Sequence, residues 1–150
     1  MAARKSAFGM CASAMILAVV GTLLNGCATA PETQPGCESN FDTQGSFLTG
    51  KKFSTTAVVP NISYSKAYDN LYKIMVSDGY YIQTADQKAG VISAFQNVNL
   101  SDKKAPLNAI IQKRPDGIEI SLVFIASAGV FTPESGARAE FCRIIGRVNN

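Results

Sequence analysis

The chain has 150 residues and a net charge of +3, and it contains neither histidine nor tryptophan. A single domain of modest core is what that length supports, and the missing histidine excludes imidazole catalysis and histidine-built zinc sites. Setting Arg4 and Lys5 apart as part of a targeting segment reduces the 14 basic residues to 12, almost balanced by 11 acidic ones, so no clustered basic face for nucleic acid is implied.

Arg4 and Lys5 form a positive start, followed by an apolar run from Ala7 to Leu24 interrupted by Ser13 and Thr22. The run ends at Leu24-Asn25-Gly26-Cys27, where a polar stretch begins. This tetrapeptide resembles the lipobox of bacterial lipoproteins. The resemblance implies cleavage before Cys27, a diacylglycerol on its thiol and an acyl chain such as palmitate on its amine. An uncleaved anchor helix and an ordinary secretory signal are the competing readings. Two or more acyl chains anchor a protein stably where one binds only marginally. Ala28 follows the cysteine, without the aspartate that marks inner-membrane retention in enterobacteria, so the same resemblance implies the outer membrane, periplasmic side. The expected division is a signal peptide over 1–26, a lipidated flexible tether over 27–50, rich in Pro, Gly and small polar residues, and a folded domain over 51–150.

Cys11 would leave with the signal and Cys27 would carry lipid, which leaves Cys37 and Cys142. In an oxidising compartment the two are expected to pair as a disulfide; the alternative is two separate buried thiols.

Lys51 to Val59 is β-branched and alternating and reads as a strand, closed by Pro60. Ser63 is a candidate N-cap for a helix with Ala67, Leu71, Ile74 and Met75 on one side, stopped by Ser77-Asp78-Gly79. Tyr64, Tyr68 and Tyr72 recur every four residues beside that stripe, as a candidate partner surface or as flank packing with hydroxyls in water. Ser63 and Lys66 have the Ser-x-x-Lys spacing of some acyl-transfer enzymes, but the further motifs of that family are missing and helix capping explains Ser63. Tyr80 to Asp86 and Val91 to Asn97 flank Gln87-Lys88-Ala89-Gly90 as a hairpin. The alternation puts Tyr80, Ile82 and Thr84 on one face, and Val91, Ser93 and Phe95 on one face of the return.

Asn99 to Pro106 reads as an exposed lysine-bearing loop. Arg114-Pro115-Asp116-Gly117 predicts a tight turn between strands Leu107 to Lys113 and Ile118 to Ala126, with Gly117 left-handed. Apolar residues on both faces near the end of the last strand suggest a central strand covered on both sides. After a connection over Ala126 to Phe131, Thr132-Pro133-Glu134 predicts a helix start with Thr132 as cap. The apolar stripe of that helix is Ala137, Phe141, Ile144, Ile145 and Val148.

The expected fold is α+β, an antiparallel sheet of about five strands in the order β-α-β-β-β-β-α with two helices on one face. Ser77-Asp78-Gly79-Tyr80-Tyr81-Ile82 and Ala89-Gly90-Val91-Ile92-Ser93-Ala94 resemble the corresponding stretches of the helix-grip domains of the C-subunit lipoprotein of the β-barrel assembly machinery. That resemblance and the lipobox imply an envelope lipoprotein, and the lack of catalytic, phosphate-binding and metal-ligand motifs leads to the expectation of no cofactor, no metal and no enzymatic activity. Its expected partners are the membrane, through the N-terminal lipid, and another envelope protein, docked on the open sheet face or the loop from Asn97 to Pro106. The alternative function is binding of a small apolar ligand or peptide in the groove between sheet and helices, which requires a continuous apolar pocket of several hundred Å³. A core filled by Phe95, Phe124 and Phe141 would count against it.

Overall fold

The computed structural model describes residues 36–98 and 103–150; the lipobox and the first part of the tether lie outside these residues. Apolar residues at every second position along the strands leave one face of a sheet in need of cover, and two amphipathic helices provide it. The elements in chain order are β1 (Asp42–Ser46), β2 (Gly50–Val59), α1 (Tyr64–Ser77), β3 (Tyr81–Asp86), β4 (Val91–Asn97), β5 (Lys104–Arg114), β6 (Gly117–Ala126) and α2 (Glu134–Gly146). They build one six-stranded antiparallel sheet in the order β1-β2-β6-β5-β4-β3. The fold is therefore α+β as expected, with one strand more.

The extra strand lies within the segment assigned to the tether. Residues 36–50 are folded: a turn over 36–40, then β1 paired with β2 from Asp42↔Ser54 to Ser46↔Gly50. The polar sequence of β1, Asp-Thr-Gln-Gly-Ser, hides it from hydrophobic periodicity, because an edge strand of this kind is held by backbone pairing rather than by a buried face.

The core-facing residues meet across strands, as in Phe53↔Phe124, Ala57↔Ile120, Ile111↔Ile120 and Ala94↔Leu107. Ala67, Leu71, Ile74 and Met75 of α1 and Ala137, Phe141, Ile144 and Ile145 of α2 are buried in the same cluster, and Val148 just beyond α2 joins them. Ser63 caps α1, accepting from the Lys66 backbone N–H at 3.3 Å. At α2 the expected cap moves by one residue. Pro133, extended at ψ 133°, is the N-cap and makes no side-chain capping bond, and its carbonyl accepts the first helical bond from Ala137 N. Its missing N–H is no loss at that position.

Three expectations are corrected. A bulge between Ile82 and Thr84 shifts the β3–β4 register, so Ile82 pairs with core-facing Ala94 while Thr84 pairs with Ser93 on the opposite face. β5 begins at Lys104, so residues 104–106, read as the end of a loop, belong to it, while 99–102 of that loop lie outside the described residues; Pro106 has no N–H to donate, and the β5–β6 ladder starts only at Leu107. β6 is central, yet its outer face is open, with Ile125 exposed near its end. Gly117 has the expected positive φ, +151°, a conformation that favours glycine.

Candidate functional site

The two cysteines expected to pair come together. Cys37 and Cys142 form a disulfide with Cα atoms 5.6 Å apart, joining the turn before β1 to the middle of α2. The turn is also seated by side chains. Buried Thr55 donates to the Cys37 carbonyl at 2.5 Å, Asn40 donates to the Thr56 carbonyl at 2.8 Å, and Phe41 packs on Phe53 and Phe141 with ring centres about 6 Å away. Cys37 itself is fully buried.

Two tyrosines of the row form a seam inside the domain, packed as flank residues. The Tyr64 hydroxyl donates to the Gln87 carbonyl at 2.6 Å and that of buried Tyr68 to the Val91 carbonyl at 3.3 Å, tying α1 to the β3–β4 hairpin. Lys113 Nζ sits 5.4 Å from the Tyr64 ring centre. Tyr72, the third of the row, is partly exposed. The spacing of four placed all three on one side of the helix, and the neighbouring hairpin decided which two it would cover.

Sequence reasoning read Asp78 only as part of a helix stop. In the fold it accepts from Arg143 Nη2 at 2.8 Å and from Arg147 Nη1 at 2.8 and 3.0 Å, and Arg143 also donates to Glu140 at 2.7 and 2.8 Å. The signal available in advance was the i, i+4 spacing of Arg143 and Arg147, which puts both guanidinium groups on one side of α2. Burial alone would raise the Asp78 carboxyl, but the hydrogen bonds from Arg147 and Arg143 outweigh it and hold it below the usual carboxylate range. A carboxyl depressed on folding contributes stability above its unfolded value near 3.9 and loses it as pH falls through the folded value. Asp78→Asn is therefore expected to lower stability by about 1 kcal/mol at pH 7, because the arginines are partly solvated. In urea titrations the gap between variant and wild type should close as pH falls through the depressed value of the folded carboxyl, below the ordinary carboxylate range; a gap that persists in acid would mean that packing, not charge, is lost.

The groove between sheet and helices narrows to a cleft of about 190 Å³ at the N-terminal half of α2, floored by Phe124, Ala137 and Phe141 and rimmed by Tyr80, Gln96 and Glu140. Burial pushes the Tyr80 hydroxyl up to about 12, with Glu140 and Asp78 adding to the effect. Of the three phenylalanines whose filling of the core would count against a ligand pocket, Phe141 is buried and Phe124 is partly buried against the core cluster. Phe95 instead faces away from the helices. It stacks on Tyr81 with ring centres 5.3 Å apart, and Lys104 Nζ lies 4.2 Å from its ring centre. Tyr81, 57% exposed, and the exposed Ile110 and Ile125 belong to the same uncovered sheet face.

Among the described residues no three His, Cys, Asp or Glu side chains group as a metal site, and no helix is long and apolar enough to cross a membrane. No protein-family model and no curated protein matches the sequence.

Proposed function

We propose that this chain is an envelope lipoprotein, anchored in the outer membrane through lipidated Cys27 and acting in the periplasm as a non-enzymatic interaction or assembly-accessory module. The observation that carries the reading is the Cys37–Cys142 disulfide. Such bonds persist in oxidising compartments and are rare in the bacterial cytosol, which agrees with an export signal that ends at Cys27. The uncovered sheet face is the surface offered to a protein partner, with the Tyr81–Phe95 stack and Ile110 as its apolar centre. Aromatic residues of this kind supply the anchors of many interfaces.

Mass spectrometry of the mature protein tests the anchor: a diacylated N-terminal Cys27 is expected, and an unmodified Cys27 or an intact Met1 would sink it. Affinity purification from membranes tests the module. A stoichiometric envelope protein should copurify, and Tyr81→Ser with Ile110→Ser should remove it while leaving the thermal midpoint close to wild type. Copurification that survives both substitutions would exclude this face as the contact.

Ligand binding in the groove is the second reading, supported by the apolar floor of the cleft beside α2. At about 190 Å³ it falls short of the several hundred Å³ that enclose a typical small-molecule ligand. Its size suits a single inserted side chain better.

A further inference from the structure

One end of the sheet gathers large apolar side chains that nothing covers. The β1–β2 turn projects Phe47 and Leu48, 49% and 82% exposed, and the connection from β6 to α2 projects Phe131, 81% exposed. The two loops are one structure: the Gly129 N–H donates to the Phe47 carbonyl at 2.8 Å, and Phe47, Val130, Phe131 and Lys51 line a shared cleft of about 380 Å³. Hydrophobic residues at loop tips do not serve the core, which is complete beneath them, and three together on adjoining loops form a patch rather than scattered exposure.

The surroundings of this tip are basic. Lys51 and Lys52 open β2 directly after the turn, and Lys103 and Lys104 arrive from the far side, with Lys103 Nζ donating to the Ala128 carbonyl at 3.0 Å in the β6–α2 connection. Acidic groups on the adjoining helix are already engaged: Glu134 pairs with Arg138 at 3.2 Å and Glu140 with Arg143 at 2.7 Å. Aromatic and leucine side chains that lead, with lysines set behind them, match the two layers of an anionic bilayer surface, acyl chains below and phosphate headgroups above.

We infer that Phe47, Leu48 and Phe131 insert into the interface of an anionic phospholipid membrane, with Lys51, Lys52, Lys103 and Lys104 against its headgroups. The patch stands without the lipid anchor, but the anchor, which rests on the function proposed above, makes the contact intramolecular. About ten residues separate Cys27 from Cys37, a reach of at most 35 Å or so. The strand that leads from Cys37 toward the tip is β1, five residues long and thus about 17 Å. A lipid on Cys27 and the apolar tip can therefore lie in the same leaflet, with effective concentration raising the occupancy of a contact that three side chains alone would make weakly. Each lysine close to anionic headgroups strengthens the contact about fivefold.

The chain has no tryptophan, so an introduced one reports only on its own site. Full-length Phe131→Trp, inserted with its own anchor into preformed vesicles of phosphatidylethanolamine and phosphatidylglycerol with brominated acyl chains, should emit at shorter wavelength and lose most of its intensity. Leu48→Trp, equally exposed, is the second probe, and Tyr72→Trp on α1 is the control expected to stay unquenched. Vesicles of phosphatidylcholine alone, or Lys51→Glu with Lys52→Glu, should reduce the quenching several-fold. The inference is overturned if the probes at 131 and 48 remain unquenched in protein that floats with the vesicles, or if position 72 is quenched equally. A blue shift without vesicles that grows with protein concentration would also overturn it, because a second copy would then cover the tip. Charge reversal without effect on quenching would remove the lysines from the contact. The N-terminal mass of the same sample reports separately on the anchor, so an unmodified Cys27 defeats the lipoprotein reading and leaves the quenching result to stand.

Discussion

Cys37→Ala combined with Cys142→Ala lowers the unfolding free energy by up to about 4.7 kcal/mol, the chain-entropy value for a cross-link between residues 105 apart. For a domain of this size the thermal midpoint falls by about 15 °C, and a reductant added to the wild type reproduces most of the drop. The effect is large because the loop closed spans nearly all of the folded domain, from the turn before β1 to the middle of α2. Without the bond, the turn over 36–40 is tied to the sheet and α2 by the Thr55 and Asn40 hydrogen bonds and the Phe41 contacts. Amide exchange should therefore accelerate first in residues 36–46, before global unfolding. A midpoint indifferent to reductant would mean that the bond contributes nothing beyond packing.

Gly90→Ala and Gly79→Ala separate two glycines that look alike in sequence. Both have positive φ, +71° and +83°. A Cβ on Gly79 meets nothing within 4 Å, so alanine there costs only the left-handed backbone, about 1 kcal/mol. A Cβ on Gly90 would press on the Ile111 carbonyl oxygen and lie 2.8 Å from the Tyr64 hydroxyl. The Gly90 carbonyl also accepts from Ile111 N at 2.8 Å, so relief would separate β4 from β5 and push α1 away. We expect a loss of about 3 kcal/mol or more for Gly90→Ala, read as a lower urea midpoint at unchanged slope. Equal losses at the two positions would show that backbone conformation, not close approach, decides both.

The same pair of glycines shows how far local reading reaches. Turn chemistry marks Gly79 and Gly90 alike as breaks between elements, and both do end elements. Only the crossing of α1 over the hairpin brings the Tyr64 hydroxyl and the β5 backbone against Gly90, a contact between segments more than twenty residues apart. The tyrosine row was left open between two readings for the same reason. Its period is a property of the helix, whereas its exposure is a property of what the helix covers.

Periodicity also missed β1, since a polar edge strand satisfies its backbone against β2 and leaves no apolar signature. In contrast, α1, the β3–β4 turn, the β5–β6 turn and the buried stripe of α2 were legible, because hydrophobic spacing and turn residues act within a few positions of one another. The candidate sites divide along the same line. A cysteine count suffices to suggest that Cys37 meets Cys142, and the structure joins them. The exposed tip could not be read, because Phe47, Leu48 and Phe131 look in sequence like ordinary core residues.

What the sequence by itself determined is the α+β class, the order of its helices and hairpins and the residues each turns inward, all consequences of side-chain period and local backbone preference. The tertiary structure alone decided the sixth strand, the Asp78–Arg143–Arg147 cluster and which apolar residues stay uncovered. Those outcomes depend on distant segments meeting, and burial is settled only by the neighbour that arrives.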